Sequence, residues 1–562
     1  MRAALSVYPC VLTSKMDMTM KKIFAITLSL VALVTVFSCS KKDFDDRYYD
    51  PSKTTTVSCA KLMTGAFYTA CDTYKGFGYN TYWRLYTWEG FFSQVNQQRG
   101  FNNDSGSMYF LQDGWANDRW ENFYKLLAQY RLLEKTYEDE SELDQQADII
   151  YKNLTEVFLY DHLSQVCDAF GPVPFSKAGY LGLTSDLASS YPAYDSDEEL
   201  YGMMIDRLGT LYQDIEKYNA NISGAMKNQL KNYDFINCGD LDKWARYANS
   251  LRLRLATHVA AKGSLTTKAA AAIKECAGRK QVDSMEKGIF GKVDSQDVGD
   301  GRFYGWYKEG FAGDGKNATA SQAMIDAMKV TGKDDPRLKV IYNPNGKGEY
   351  VGKHVGESSA DQAKYDAITK WEDRHYATLD SVTFISNGLM ENPVFTPAEN
   401  WFLLAEAYQQ NYASGNAKDA FVKAVSLSIA EWYQRNMNAS DAGNYGFQTH
   451  FKATSAPTTT EAEAYANAVW DKYSNKLEAI MTQKWLHLGI MGAHESFTDI
   501  RRTGFPKLTY PTDKQAQRNP NIIQRVLYPL VEKNNNTANY EAATASFKDD
   551  NSTVLFWAKE LK

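Results

Sequence analysis

The chain has 562 residues, a net charge of -6 and 44% hydrophobic residues. That is enough apolar material for one large helical domain or a few smaller ones. The acidic balance argues against a nucleic-acid binder. Seven histidines, with no H-E-x-x-H or G-x-S-x-G string, leave metalloprotease and serine-hydrolase chemistry without support.

Lys21 and Lys22 precede an apolar run from Ile23 to Phe37. About 15 residues is too short to span a bilayer core about 30 Å thick as a helix, and it suits the apolar region of a secretory signal peptide. Ser38 and Cys39 follow at once. A small residue before a cysteine at the end of such a run reads as a lipoprotein signal, in which Cys39 receives the lipid. Phe37 is bulkier than usual for that position. Residues 1–39 are therefore read as upstream residues plus signal peptide, with translation starting at Met16, Met18 or Met20. Residues 40–57 are polar and charged (Lys41, Lys42, Asp43, Asp45, Asp46) and read as a tether. Residues 58–562 are read as a single α-helical binding domain. Its cysteines form no C-x-x-C pair. A Cys59–Cys71 disulfide is compatible with export, but buried free thiols are the main expectation.

Within that domain, residues 76–114 mix glycine, asparagine, aspartate and aromatics and predict a long loop. Helical periodicity follows at 116–137, where Trp120, Phe123, Tyr124, Leu127 and Tyr130 share a stripe, and again at 148–163. From Trp244 the series Tyr247, Ala248, Leu251, Leu255, Val259 steps by three and four, with Arg246, Arg252 and Arg254 on other faces. Residues 295–317 and 331–380 are again glycine-rich and loop-like. At 401–424, Trp401, Leu404, Ala405 and Tyr408, then Ala417, Phe421 and Ala424 beyond a turn at Gly415, have the spacing of a tetratricopeptide repeat. Small Ala405 and Ala417 let two helices approach while aromatics fill the seam. Degenerate copies are expected in 116–165 and 198–260, because such a unit buries its core only against neighbours.

Loops on a rigid scaffold are where binding residues concentrate. Aromatics make up 14% of the chain, and their flat faces suit the C–H faces of sugars. The candidate ligand contacts are Tyr304, Trp306 and Tyr307 in one loop, and Tyr82 and Trp83 with the oxygens of Asn102 and Asp104 in the other. The opposing expectation is that these rings pin their own loops to the core. His487, His494 and Glu495 are close in sequence, but a structural role outweighs metal binding. Neither a metal nor another cofactor is expected.

Further strings carry a resemblance. These are Phe170-Gly171-Pro172-Val173-Pro174-Phe175, Tyr191-Pro192-Ala193-Tyr194-Asp195-Ser196, and Ala248-Asn249-Ser250-Leu251-Arg252. Asp335-Pro336-Arg337-Leu338, Leu403-Leu404-Ala405-Glu406-Ala407, Gln483-Lys484-Trp485 and Asp499-Ile500-Arg501-Arg502-Thr503-Gly504 follow, and Arg525 with Tyr528-Pro529 closes the series. In this order they resemble the SusD/RagB outer-membrane lipoproteins of Bacteroidetes-type bacteria, over nearly the whole mature chain. Pro172 stands where that family usually has aspartate. The resemblance implies an all-α fold, with four tetratricopeptide-like helix pairs supporting an irregular loop-rich lobe. It also implies a lipid-anchored, cell-surface location in the outer membrane and a SusC-like TonB-dependent transporter as partner. The implied ligand is a nutrient oligomer, most often an oligosaccharide and for some members a peptide. A peptide-binding or protein-interaction scaffold of the same uptake complex is the alternative; no enzyme activity is expected. The shared strings themselves read as scaffold: Arg501, Arg502 and Asp499 as ion pairs and carbonyl contacts, Asp335-Pro336 as a turn, Asn249 and Ser250 as backbone contacts within an apolar helix.

Overall fold

A computed structural model describes residues 57–73, 89–97, 117–291, 319–355, 357, 373–385, 387, 391–439, 451–510, 523–559 and 561. The first described helix, α1 (Cys59–Thr73), packs on the hairpin of α2 (Asn117–Glu138) and α3 (Glu142–Phe170). Next come α4 (Asp197–Asn221), the short α5 (Gly224–Tyr233), α6 (Leu241–Val259) and α7 (Thr266–Ala277); α6 lies against both α4 and α7. The repeat at 401–424 is the pair α8 (Pro397–Gln409) and α9 (Ala417–Met437). It is extended by α10 (Thr459–Lys472), which packs on α9, and α11 (Lys476–Leu488), which packs on α8. The last long helix is α12 (Ala493–Thr503). The predicted repeat and both degenerate copies are thus helix pairs, and no described helix is long and apolar enough to cross a membrane.

The local chemistry explains the boundaries. Ser141, Asp240, Thr396, Asn416, Thr458 and Asn475 each cap a helix with a side-chain oxygen that accepts a free backbone N–H. Thr458 and Glu461 form a reciprocal capping box. Gly504, at φ 77°, ends α12 in the left-handed conformation that glycine adopts without strain. The stripe from Trp244 to Val259 is fully buried. In the α8/α9 seam Phe402 meets Phe421 edge-on at 6.3 Å. Trp401, placed in that seam by its spacing, instead donates its indole N–H to the carbonyl of Asp283 at 3.0 Å.

Arg252 and Arg254 lie on other faces of α6 than its apolar stripe, and they are buried too. Helix α6 is enclosed on nearly every side, and both guanidiniums are buried: Arg252 bonds Glu275 and the carbonyl of Ile205, and Arg254 pairs with Glu399 and Asp161. For the cysteines the main expectation, buried free thiols, holds in place of a Cys59–Cys71 disulfide. Cys59 is a free buried thiol that donates to Glu140 at 3.2 Å, and Cys167 and Cys276 are also buried and free.

The shared strings build the scaffold. Arg502 forks onto Glu406 and Asp499, and Arg501 donates to the carbonyls of Asp168 (2.7 Å) and Gln524 (2.9 Å). Arg337 pairs with Asp335 inside a buried turn and reaches Ser428 at 2.8 Å. The Asn249 amide donates to the carbonyls of Cys276 and Lys280, and Ser250 accepts from the amide of Val282. With no aspartate at 172, the loop after α3 takes its carboxylate from Asp195, which accepts from the amides of Phe175 and Ser176 at 2.8 Å each. Tyr528 closes this loop by donating to the carbonyl of Pro172 at 2.6 Å.

Candidate functional site: the base of the two binding loops

The proposed contacts Tyr82, Trp83, Asn102, Asp104, Tyr304, Trp306 and Tyr307 lie outside the described residues, as does Cys39. The backbone from which their segments depart is described, and it brings the two together.

Residues 89–97, in the middle of the first predicted loop, are a buried plug. Phe91 and Phe92 sit in the core, and Ser93 offers its carbonyl to the indole N–H of Trp485 at 2.8 Å. Gln94, at φ 54°, donates from its side chain to the carbonyl of Thr509 at 2.8 Å. Glu89 forms a buried ion pair with Arg119. The idea that this loop pins itself to the core therefore holds for 89–97. Phe91 and Phe92 are adjacent apolar residues that could have signalled it.

The plug ends in a hydrogen bond from the amide of Gln97 to the carbonyl of Thr319, 3.1 Å. Thr319 also bridges Thr378, and Ser321 runs parallel to Lys353. Residues 319–321 are therefore the middle of a small irregular sheet, braced by Ala320 N–H to the carbonyl of Ala377 (2.9 Å) and Lys353 N–H to that of Ala320 (2.8 Å). Gly352 permits the closest approach: a Cβ there would overlap the backbone of Ser321 and Gln322. Segment 98–116 thus begins, and segment 292–318 ends, on neighbouring residues of one ladder. Much of 331–380 is not free loop either. Strand β2 (Tyr342–Asn343) pairs with β3 (Thr378–Leu379), while β1 (Ile289–Gly291), from which segment 292–318 departs, pairs with β4 (Asn392–Phe395).

Beside the ladder lies an open cleft of about 420 Å³, walled by Gln94, Gln322, Lys353, His354, Trp485 and Lys507. The Trp485 indole N–H and the side-chain amides of Gln94 and Gln322 are engaged by Ser93, Thr509 and Asp326, so Lys507 and His354 are the polar groups this wall offers an oligomer. These residues escape a reading of the sequence because they come from five separate stretches, and Trp485 reads as part of a scaffold string.

Catalytic and metal readings find less. His487 is held between the hydroxyls of Thr396 (2.7 Å) and Ser428 (3.1 Å), and burial with the nearby Arg435 keeps it neutral. His494 faces Arg119 at 3.0 Å. Among the described residues, His258, Glu495 and Asp499 are close enough to share a metal. Lys484 already sits there, 2.8 Å from each carboxylate. Burial alone would raise Glu495; the Lys484 ammonium, His258 and Arg254 outweigh it and hold this carboxyl well below its usual range. Cys59, Glu140 and Asp148 form a second such group. Burial raises the Cys59 thiol strongly and pushes Asp148 up to about 6, so protons and metal compete there.

The model of the family described as SusD-like, "Susd and RagB outer membrane lipoprotein", matches residues 78–558. The chain belongs to the SusD-like family. Solved structures with the same fold include a chitin-binding protein (21% identity, TM-score 0.70, covering 89% of this chain and 100% of that one). A chitin-binding SusD homologue from Flavobacterium johnsoniae matches at 19% identity and TM-score 0.66, over 89% and 99% of the two chains. A SusD homologue from Parabacteroides distasonis matches at 19% and 0.69, over 90% and 98%. No curated protein matches the chain. SusD-like membership places the protein in an outer-membrane, nutrient-binding lipoprotein family with a tetratricopeptide-like helical fold.

Proposed function

We propose that this SusD-like protein is a cell-surface capture protein that binds nutrient oligosaccharides and hands them to a SusC-like TonB-dependent transporter, without chemistry of its own. Lipid on Cys39, a tether over 40–57 and one binding domain over 58–562 complete the reading. The observation that carries it is the Gln97–Thr319 hydrogen bond. It holds the described start of the segment with Asn102 and Asp104 beside the described end of the segment with Tyr304, Trp306 and Tyr307, which supports a shared site; Tyr82 and Trp83 precede the plug at 89–97. Two proteins of the same fold are described as chitin-binding, which favours a glycan over a peptide. Large aromatics of the helix pairs are buried (Trp244, Phe402, Phe421, Trp432), so the described helices offer little of the exposed apolar stripe a peptide groove needs.

The test is a binding panel on the soluble form starting at Ser40, against plant, fungal and host polysaccharides and a peptide digest, with Trp306→Ala alongside. Binding of a glycan that the variant loses supports the reading. Binding of peptide alone removes the sugar, and turnover of any substrate removes the claim that the protein does no chemistry.

A further inference from the structure

A second cavity, of about 650 Å³, lies between β1, the turn before α6 and the C-terminal end of α9, and its size is usual for a small-molecule site. One cation in its wall, Arg435, is held differently from the other buried arginines. Arg254 and Arg337 each have a carboxylate oxygen at 2.6 Å. The side chain of Arg435 is only 10% exposed, yet among the described residues its one hydrogen bond runs to Glu431 at 3.5 Å. That is beyond the usual N–H···O range, and a guanidinium carries five N–H donors. The guanidinium carbon stands 4.7 Å from the centre of the Trp432 ring. Stacking covers the flat face of the group and leaves its N–H edge open to the cavity.

Glu431 is a poor counter-ion. Burial raises its carboxyl to about 7, although Arg435 and the amide of Ala398 act against the rise. At neutral pH roughly half of these carboxyls are therefore uncharged. Burial also holds Arg435 below the usual guanidinium range, against the pull of Glu431 and Glu391. A buried guanidinium with an open fork calls for an anion, and a planar carboxylate meets it with two parallel bonds. The rest of the wall narrows the class. Exposed Glu286 and Glu391 repel a dianion such as phosphate but suit an ammonium group. Lys243, the other cation, already donates to the carbonyl of Gly288 at 3.3 Å. The half-buried ring of Phe290 offers an apolar face.

We infer that this cavity binds an α-amino-acid zwitterion, its carboxylate forked by Arg435, its ammonium group facing Glu391 and its side chain on Phe290. The site uses none of the loop contacts, so it stands or falls independently of the proposed function.

The experiment titrates the Ser40–Lys562 protein calorimetrically with L-phenylalanine and L-leucine. Beside them run L-phenylalaninamide, which lacks the carboxylate, and N-acetyl-L-phenylalanine, which lacks the ammonium group. Both amino acids should bind, and each derivative should bind about tenfold more weakly than phenylalanine, the ordinary worth of a charge-assisted hydrogen bond. Arg435→Met, its fold checked by circular dichroism, should weaken phenylalanine by about tenfold or more. Should that variant not fold, the derivatives on the wild-type protein decide alone. Binding of neither amino acid at millimolar concentration overturns the inference, as does unchanged affinity in folded Arg435→Met. Equal binding of the amide removes the carboxylate contact, and equal binding of the acetyl derivative removes the zwitterion; either result overturns the amino-acid assignment.

Discussion

Arg254 and Lys484 carry full charges into the interior, which costs several kcal/mol per ion unless each is paired and hydrogen-bonded. They are paired: Lys484 touches Glu495 and Asp499, and Arg254 touches Glu399 and Asp161. Replacing Lys484 by Met should therefore cost about 3–5 kcal/mol in urea denaturation, because two carboxylates lose their buried cation. The double variant Lys484→Met/Glu495→Gln should recover part of that loss. Asp380 shows the opposite balance. Burial raises its carboxyl to about 7, although the amide of Thr383 and the side chain of Asn436 donate to it. A carboxyl raised on folding binds its proton more tightly in the native state. Its contribution is complete below the unfolded pKa near 4 and is lost as pH rises towards about 7. In Asp380→Asn, stability measured against pH should fall less steeply across that window.

At the scale of elements, the helices were legible because their signals are local. Apolar steps of three and four, side-chain caps and the tetratricopeptide spacing all act within a turn or two, and the pairs α2/α3, α4/α6 and α8/α9 formed where they pointed. The misreadings were tertiary. Spacing sets the arginines of α6 off its apolar stripe but does not say that α4, α7 and α8 cover them, and Trp401 leaves its expected seam to donate to the carbonyl of Asp283. The plug at 89–97 looks like loop by composition, yet Phe91, Phe92 and the indole of Trp485 hold it inside. Gly415 has a use that spacing only hints at: any Cβ there would overlap the ring of Tyr408. Gly415→Ala should lower stability by about 1–3 kcal/mol through overpacking at the α8–α9 turn, read as a lower urea midpoint with an unchanged m-value.

For the molecule as a whole, scaffold and site have different kinds of information behind them. The scaffold strings, from Asp335-Pro336-Arg337 to Arg501-Arg502, satisfy one another's hydrogen bonds and so specify one arrangement of helices. A binding loop has its final partner outside the chain. Composition can mark 76–114 and 295–317 as candidate loops, but it does not say that Gln97 and Thr319 join them. That joint is a tertiary hydrogen bond, and neither segment read by itself points to it.

The most direct test is hydrogen exchange across segments 98–116 and 292–318, with and without the oligosaccharide that binds best in the panel. Both segments should slow together, at the same ligand concentration, because the end from which each departs is held at the Gln97–Thr319 hydrogen bond. Protection of only one segment, or of neither while ligand is bound, would contradict a joint loop site.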